Sequence, residues 1–193
     1  MPADRDELRQ RVAATTKDDV SRGLSFNRLF MLVRERLGDD AARACDPERK
    51  GARTDFFNYP VADYLKIAWD AADLLEPRIG SIDAVWTELG RITVKGFLSS
   101  AIGKTLFALT GKDPRRVVSA GPSSYRSVVS YGERKVEWLG EKHARMTFRR
   151  DFMVSGYHRA VILTALQAID AKNARVEARV LSLLDSDYDI AWD

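Results

Sequence analysis

The chain is short of the residues from which reactive or stapled sites are built. Among 193 residues there is one cysteine and there are two histidines. A lone Cys45 cannot close an internal disulfide, which excludes a disulfide-stapled secreted module and fits a reducing, cytoplasmic setting. Two histidines and one cysteine are too few for a structural zinc site, and neither a metal nor a cofactor is expected. No apolar run approaches the ~18–20 residues of a membrane span. The N-terminal stretch Met1–Glu7 is acidic with no apolar segment after it, so no signal peptide is expected. An excess of one charge is also missing. Lys and Arg total 31 against 28 Asp and Glu, interleaved along the chain. The densest basic spots, Arg115-Arg116 and Arg149-Arg150, are too short to follow a phosphate backbone, and no nucleic-acid partner is expected.

What the chain does have is apolar substance, 45% of its residues. A chain of this length buries about 70% of its surface on folding, enough for a core without staples. We expect one domain over residues 1–193, with a helical part over about 1–122 and a second part over about 123–193. In the first, Phe26, Leu29, Phe30, Val33 and Leu37 recur at helical spacing behind Ser25 as a cap, with Gly38 as the stop. The charged segment Asp46–Asp55, with Pro47 and Gly51, reads as a loop. Pro60 opens a helix carrying Val61, Tyr64, Leu65, Ala68, Ala72 and Leu75, which Pro77 and Gly80 end. Ser81 caps a third helix with Ile82, Val85, Trp86 and Leu89. A shorter one holds Ile102, Leu106 and Leu109, Asp113-Pro114 starts a short helical turn, and Gly121-Pro122 closes this part.

From about Tyr125 the apolar period falls from 3.6 to 2. Val136 and Trp138 alternate with Glu133, Lys135 and Glu137; after Gly140, Ala144, Met146 and Phe148 alternate with His143, Arg145, Thr147 and Arg149. A helix capped by Ser155 follows, with Val161, Ile162, Ala165, Leu166 and Ile169 on its buried side. Val176, Ala178 and Val180, then Tyr188, Ile190 and Trp192, form two more alternating runs. The order is ββαββ. The fold class is α+β, the helical N-terminal half packing on one face of an antiparallel sheet. The sheet's other face, rich in both charges, reads either as a solvated surface of cross-strand ion pairs or as a contact surface.

Chemical motifs are sparse. Gly103-Lys104-Thr105 looks like the tail of a phosphate loop, but Leu98 stands where its first glycine belongs and a helix precedes it instead of a strand. His143 alternates onto the polar side of its strand. His158 lies in the first turn of its helix on the core-facing stripe, either as a hydrogen-bonded core histidine or as a ligand contact. No nucleophile motif, calcium loop or acid–base constellation is present, so no enzyme is expected. Trp69, Trp86, Trp138 and Trp192, with Tyr64, Tyr131, Tyr157 and Phe148, fall on or near the apolar faces. They build either a solid core or a pocket, since both require the same residues at the same spacing.

Several segments carry a family likeness: Asp55-Phe56-Phe57-Asn58-Tyr59-Pro60-Val61, Glu88-Leu89-Gly90-Arg91, Ser130-Tyr131-Gly132-Glu133-Arg134 and Tyr188-Asp189-Ile190-Ala191-Trp192. With them the chain, from about Gly23 to Asp193, resembles a large paralogous family of uncharacterised proteins found chiefly in myxobacteria. That likeness implies no catalytic residues. More distantly, a helical half followed by ββαββ resembles the superfamily of vinyl-reductase-type small-molecule domains, haem nitric-oxide-binding sensors and Golgi transport-particle subunits. It implies an apolar pocket between helices and sheet for haem, an acyl chain or another hydrophobic molecule. The haem sensors hold their proximal histidine in a helical half, and here that half has none, so an aromatic or acyl ligand is the expectation. The resulting expectation is a non-enzymatic sensory or regulatory domain binding a small apolar ligand, with Trp86, Tyr131, Trp138 and His158 as contacts. The alternative is a protein-interaction or homodimerisation module without a ligand.

Overall fold

The computed structural model describes residues 3–46 and 52–193, without the side chains of Ile102, Leu106, Phe107 and Leu109. Pro47 and Gly51 of the expected loop, and the three apolar side chains of the expected short helix, therefore lie outside the described residues. In chain order the elements are α1 (Arg5–Ala13), β1 (Val20–Arg22), α2 (Gly23–Leu37), α3 (Asp39–Ala44), β2 (Asn58–Pro60), α4 (Val61–Ile79), α5 (Ile82–Ser99), α6 (Ala101–Thr110), α7 (Pro114–Arg126), β3 (Glu133–Gly140), β4 (His143–Arg149), α8 (Ser155–Gln167), β5 (Arg175–Val180) and β6 (Ser186–Ala191).

Local chemistry accounts for most boundaries. Asp4 caps α1 by accepting from the N–H groups of Asp6 and Glu7 at 2.8 and 3.1 Å, and the Ser81 hydroxyl caps α5 by accepting from Ala84 N–H at 3.2 Å. Gly38 and Gly80 end α2 and α4 at φ 90° and 109°. Four expectations need correction. Helix α2 starts at Gly23, so Ser25 does not cap it; Ser25 is buried in the first turn and accepts from the Ser21 hydroxyl at 3.1 Å. Similarly, α8 has Val154 at its N-cap and no side chain closing it, so Ser155 is its first residue and not its cap. Pro77 lies inside the last turn of α4 and does not stop it. Most consequentially, Gly121-Pro122 sits within α7, which runs on to Arg126 instead of making one short turn. A Cβ at Gly121 would come 2.7 Å from Cε, the flexible end of the Met146 side chain, so the glycine leaves that side chain its room beside α7. The result puts Tyr125 on a helix.

The four strands β3–β6 form an antiparallel sheet in the order β3-β4-β6-β5, the ββαββ arrangement expected. One face is covered by α7 and α8. Val118, Ile162 and Leu166 pack there on Ala144, Met146, Phe148, Val176, Tyr188, Ile190 and Trp192. The remaining helices bury a second cluster against the far side of α8, among them Phe26, Leu29, Leu65, Trp69 and Leu89, joined by Tyr131, Phe152 and Tyr157. Helices α5 and α8 touch backbone to backbone at Gly90, where a Cβ would stand 2.4 Å from the Tyr157 carbonyl oxygen. Arg11 ties α1 to the segment before α8, donating to the carbonyls of Phe152 and Met153 at 3.3 and 3.5 Å. On the sheet's other face Arg149 and Arg179 both pair with Asp187 at 2.9 Å, and Arg145 pairs with Asp189 at 3.0 Å, as cross-strand ion pairs. Strand β5 departs from its reading, for only Val176 is buried while Ala178 and Val180 stay exposed, beyond the reach of α8.

Candidate functional site

The helices do not close completely over the sheet. Where α5, α7 and α8 converge, a mainly apolar cavity of about 100 Å³ remains, walled by Tyr64, Phe97, Tyr125, Tyr131, Tyr157 and Val161. A second space of about 120 Å³ lies beyond Tyr125 and Val161. It shares Val94, Phe97 and Ser124 with the first and reaches Met146 and Leu166 on the sheet side. Tyr64, on α4, is buried and its Oη finds no hydrogen-bond partner, although nearly all buried polar atoms have one. Burial pushes the Tyr157 phenol up to about 12, against the opposing influence of Thr93 beside it. Burial likewise raises Tyr64, Tyr125 and Tyr131 well above the ordinary phenol value, so all four rings are neutral walls.

A buried polar chain lies under these rings. Tyr125 Oη meets His158 Nδ1 at 3.0 Å, and His158 Nε2 meets Asp151 Oδ1 at 2.7 Å. Asp151 Oδ1 also accepts from Met153 N–H at 3.0 Å, and Oδ2 pairs with Arg134 Nη2. Arg134 donates its other terminal nitrogen to the Tyr131 carbonyl at 2.8 Å, and its guanidinium carbon lies 4.6 Å from the Tyr125 ring centre. Burial alone would raise the Asp151 carboxyl; His158 and Arg134 outweigh it and hold the group below the usual carboxylate range. In this chain both oxygens of Asp151 and both nitrogens of His158 are engaged.

Of the four expected contacts, the structure brings Tyr131 and His158 to this one cavity. Trp86 lies on the opposite end of α5, its ring 4.7 Å from Trp69, beside a cleft of about 490 Å³ whose charged lining is acidic but for Arg11, which pairs with Glu7 at 2.6 Å. Trp138 stands on β3, edge-on to Trp192 at 6.2 Å and capped by the Arg115 guanidinium at 3.9 Å. Sequence reasoning missed Tyr125, Arg134 and Asp151. One signal was available: Arg134 occupies the apolar phase of β3, in step with Val136 and Trp138, where a charge must be paired. Elsewhere, Cys45 is a buried thiol raised to about 11 by burial. Among the described residues no group of three or more His, Cys, Asp or Glu side chains is placed to hold a metal ion, and no helix is long and apolar enough to cross a membrane.

Comparison with known proteins gives two findings. A family model described as a protein of unknown function, DUF2378, matches residues 14–193. The fold is similar to that of H-NOX proteins. With the unliganded Fe(II) protein from K. algicida it shares 13% identity over 89% of this chain and 96% of that one, at a TM-score of 0.71. With the S. oneidensis protein in its Fe(II)NO state it shares 12% over 89% and 99%, at 0.72. With a structure concerned with heme distortion in the H-NOX family it shares 12% over 89% and 95%, at 0.63. No curated protein matches.

Proposed function

The chain belongs to the DUF2378 family of proteins of unknown function, and from that premise we propose that it is a non-enzymatic sensory or regulatory domain holding a small apolar ligand between helices and sheet. The observation that carries this reading is the tyrosine-walled cavity with the partnerless Tyr64 hydroxyl on its wall. A ligand that fills the space and offers that hydroxyl one hydrogen bond would satisfy both vacancies at once. Tyr131 and His158 belong to its wall.

Size sets the ligand class. An engineered apolar cavity of about 150 Å³ accepts benzene or xenon, whereas ordinary ligand pockets begin near 300 Å³. A space of about 100 Å³ with a neighbour of about 120 Å³ suits a compact molecule with one polar group. Haem, the group carried by the H-NOX structures, does not fit. The two spaces are too small for a porphyrin, and neither histidine is placed to ligate its iron, since both ring nitrogens of His158 are engaged and His143 lies exposed on the sheet. The non-enzymatic reading rests on burial. Tyr125, His158 and Asp151 follow the hydroxyl–imidazole–carboxylate order of a catalytic triad, but the hydroxyl is a phenol that burial raises well above its ordinary value, and the imidazole is sealed from solvent. We place the protein in the cytoplasm, on its single buried thiol, and treat residues 1–193 as one domain, on the tie from Arg11 to the carbonyls before α8. A second reading, a protein-interaction module, is favoured by the adjacent side chains of Phe56 and Phe57, exposed at 60% and 65%.

The test is native mass spectrometry of freshly purified protein against its denatured mass, followed by thermal melts with toluene and benzyl alcohol. We expect either a bound mass that leaves on denaturation or a rise in Tm with both probes, larger for benzyl alcohol. In Tyr64→Phe that preference disappears. No bound mass and no rise with either probe would retire the ligand reading in favour of the interaction module.

A further inference from the structure

Strand β5 is one outer strand of the four-stranded sheet. In its hairpin the Leu181 N–H donates to the Asp185 carbonyl at 2.9 Å. That hydrogen bond, with the register of β5 on β6, turns the amide groups of Arg175, Glu177 and Arg179 inward, toward β6. Val176, Ala178 and Val180 turn theirs outward, to the free edge. Sheet edges normally carry a device against pairing, such as a bulge, a proline or a lysine. The opposite edge has two: Lys135, and a register shift between Trp138 and Gly140. Strand β5 has no bulge, proline or lysine, and the charges it carries, Arg175, Glu177 and Arg179, are of both signs. Its register is regular over all six residues, and Val180 is 63% exposed on the face that α8 covers elsewhere.

We propose that β5 is a homodimerisation edge, paired antiparallel with β5 of a second copy about Ala178, so that the two sheets join into one. The residues on the strand select that register. Centred on Ala178, Val176 faces the partner's Val180 on the helix side, and Glu177 faces the partner's Arg179 on the other side. Both contacts occur twice by symmetry. The outward amides of Val176, Ala178 and Val180 all fall into hydrogen-bonded pairs, and the Glu–Arg contacts fall at the intervening sites, where side chains approach more closely. Moving the centre one residue to Glu177 sets Glu177 against itself and Arg175 against the partner's Arg179, like charge against like. Moving it to Val176 keeps opposite charges together but leaves Val180 uncovered and runs the pairing past the end of the strand. This inference stands independently of the ligand reading.

Sedimentation velocity over a concentration series, with two variants, tests the proposal. The natural chain is expected at twice its 21.7 kDa mass. Glu177→Arg sets like charges across the joint while facing Asp189 of β6 within its own chain, so the fold is not challenged. Its dimer should be weaker by roughly tenfold or more. Ala178→Pro removes an N–H that the single chain does not use and should sediment as a monomer with unchanged far-ultraviolet dichroism. The register is read by oxidation of A178C, which should cross-link because paired α-carbons at such a site lie about 5.5 Å apart, whereas R175C should not. A natural chain that stays monomeric throughout the series, or a dimer indifferent to both E177R and A178P, would overturn the proposal. Cross-linking of R175C without A178C would overturn the register.

Discussion

At the centre of α2, α4 and α5 the side chains are sealed from solvent. Phe26, Leu65 and Leu89 have no exposure at all, and the Trp69 and Trp86 rings lie 4.7 Å apart. One helix further on, where α5 and α7 meet α8, residues of the same kind at the same spacing leave two spaces. The helical core is held by volume, each side chain supporting the next. The seam is braced from below by an ion pair and a hydrogen-bonded histidine, which fix its walls without filling the gap between them. A region braced in this way keeps room for an occupant, and one held by volume does not.

The largest expected effect tests the brace. Asp151→Asn leaves Arg134 buried without its counter-charge and should cost about 3–5 kcal/mol in denaturant unfolding. A cost under about 1 kcal/mol would mean that packing holds the seam after all. The next prediction compares the two regions directly. Leu65→Ala opens a hole in a filled core and should cost about 2–5 kcal/mol, whereas Val161→Ala, beside space that already exists, should cost about 1 kcal/mol. Equal losses would make the seam a second solid core and remove the room for a ligand. The smallest effect is expected in acid. Asp19 is held at about 2, chiefly by its hydrogen bonds with Arg150, against an ordinary 3.8. A depressed carboxyl contributes stability above its unfolded value and loses it as pH falls from about 4 through 2, and Asp151 and Asp187 shift in the same direction. The midpoint of urea unfolding should therefore fall across that window, and more gently in Asp19→Asn, whose own contribution is gone. An identical slope in both proteins would remove Asp19 from that account.

Much of this was legible in the sequence, for a definable reason. Periodicity gave α2, α4, α5, α8 and the strands β3, β4 and β6 because each turns one face to the core, and burial of one face is what a period records; β5 shows the same alternation while burying only Val176. Helix α1 lacks a clear apolar stripe and went unread, although Asp4 followed by Asp6 and Glu7 is a usable start signal. Helix α7 reads as ending early because Gly121-Pro122 is punctuation in isolation, whereas the helix continues through the pair to Arg126. That one error hid Tyr125 and with it the top of the polar chain. His158 could be singled out from its stripe and Arg134 from its phase on β3, but not their meeting through Asp151, which lies in an irregular segment. The cavity itself left no trace, because packing density is a property of how faces meet and not of the faces.

The contact at Gly90 has a mechanical consequence. With no side chain between α5 and the Tyr157 carbonyl, the two helices meet like a beam seated in a notch with no clearance. Val94 and Phe97, further along the same beam, line the cavity. A side chain at Gly90 would therefore lift the beam off its seat and carry that wall of the cavity with it.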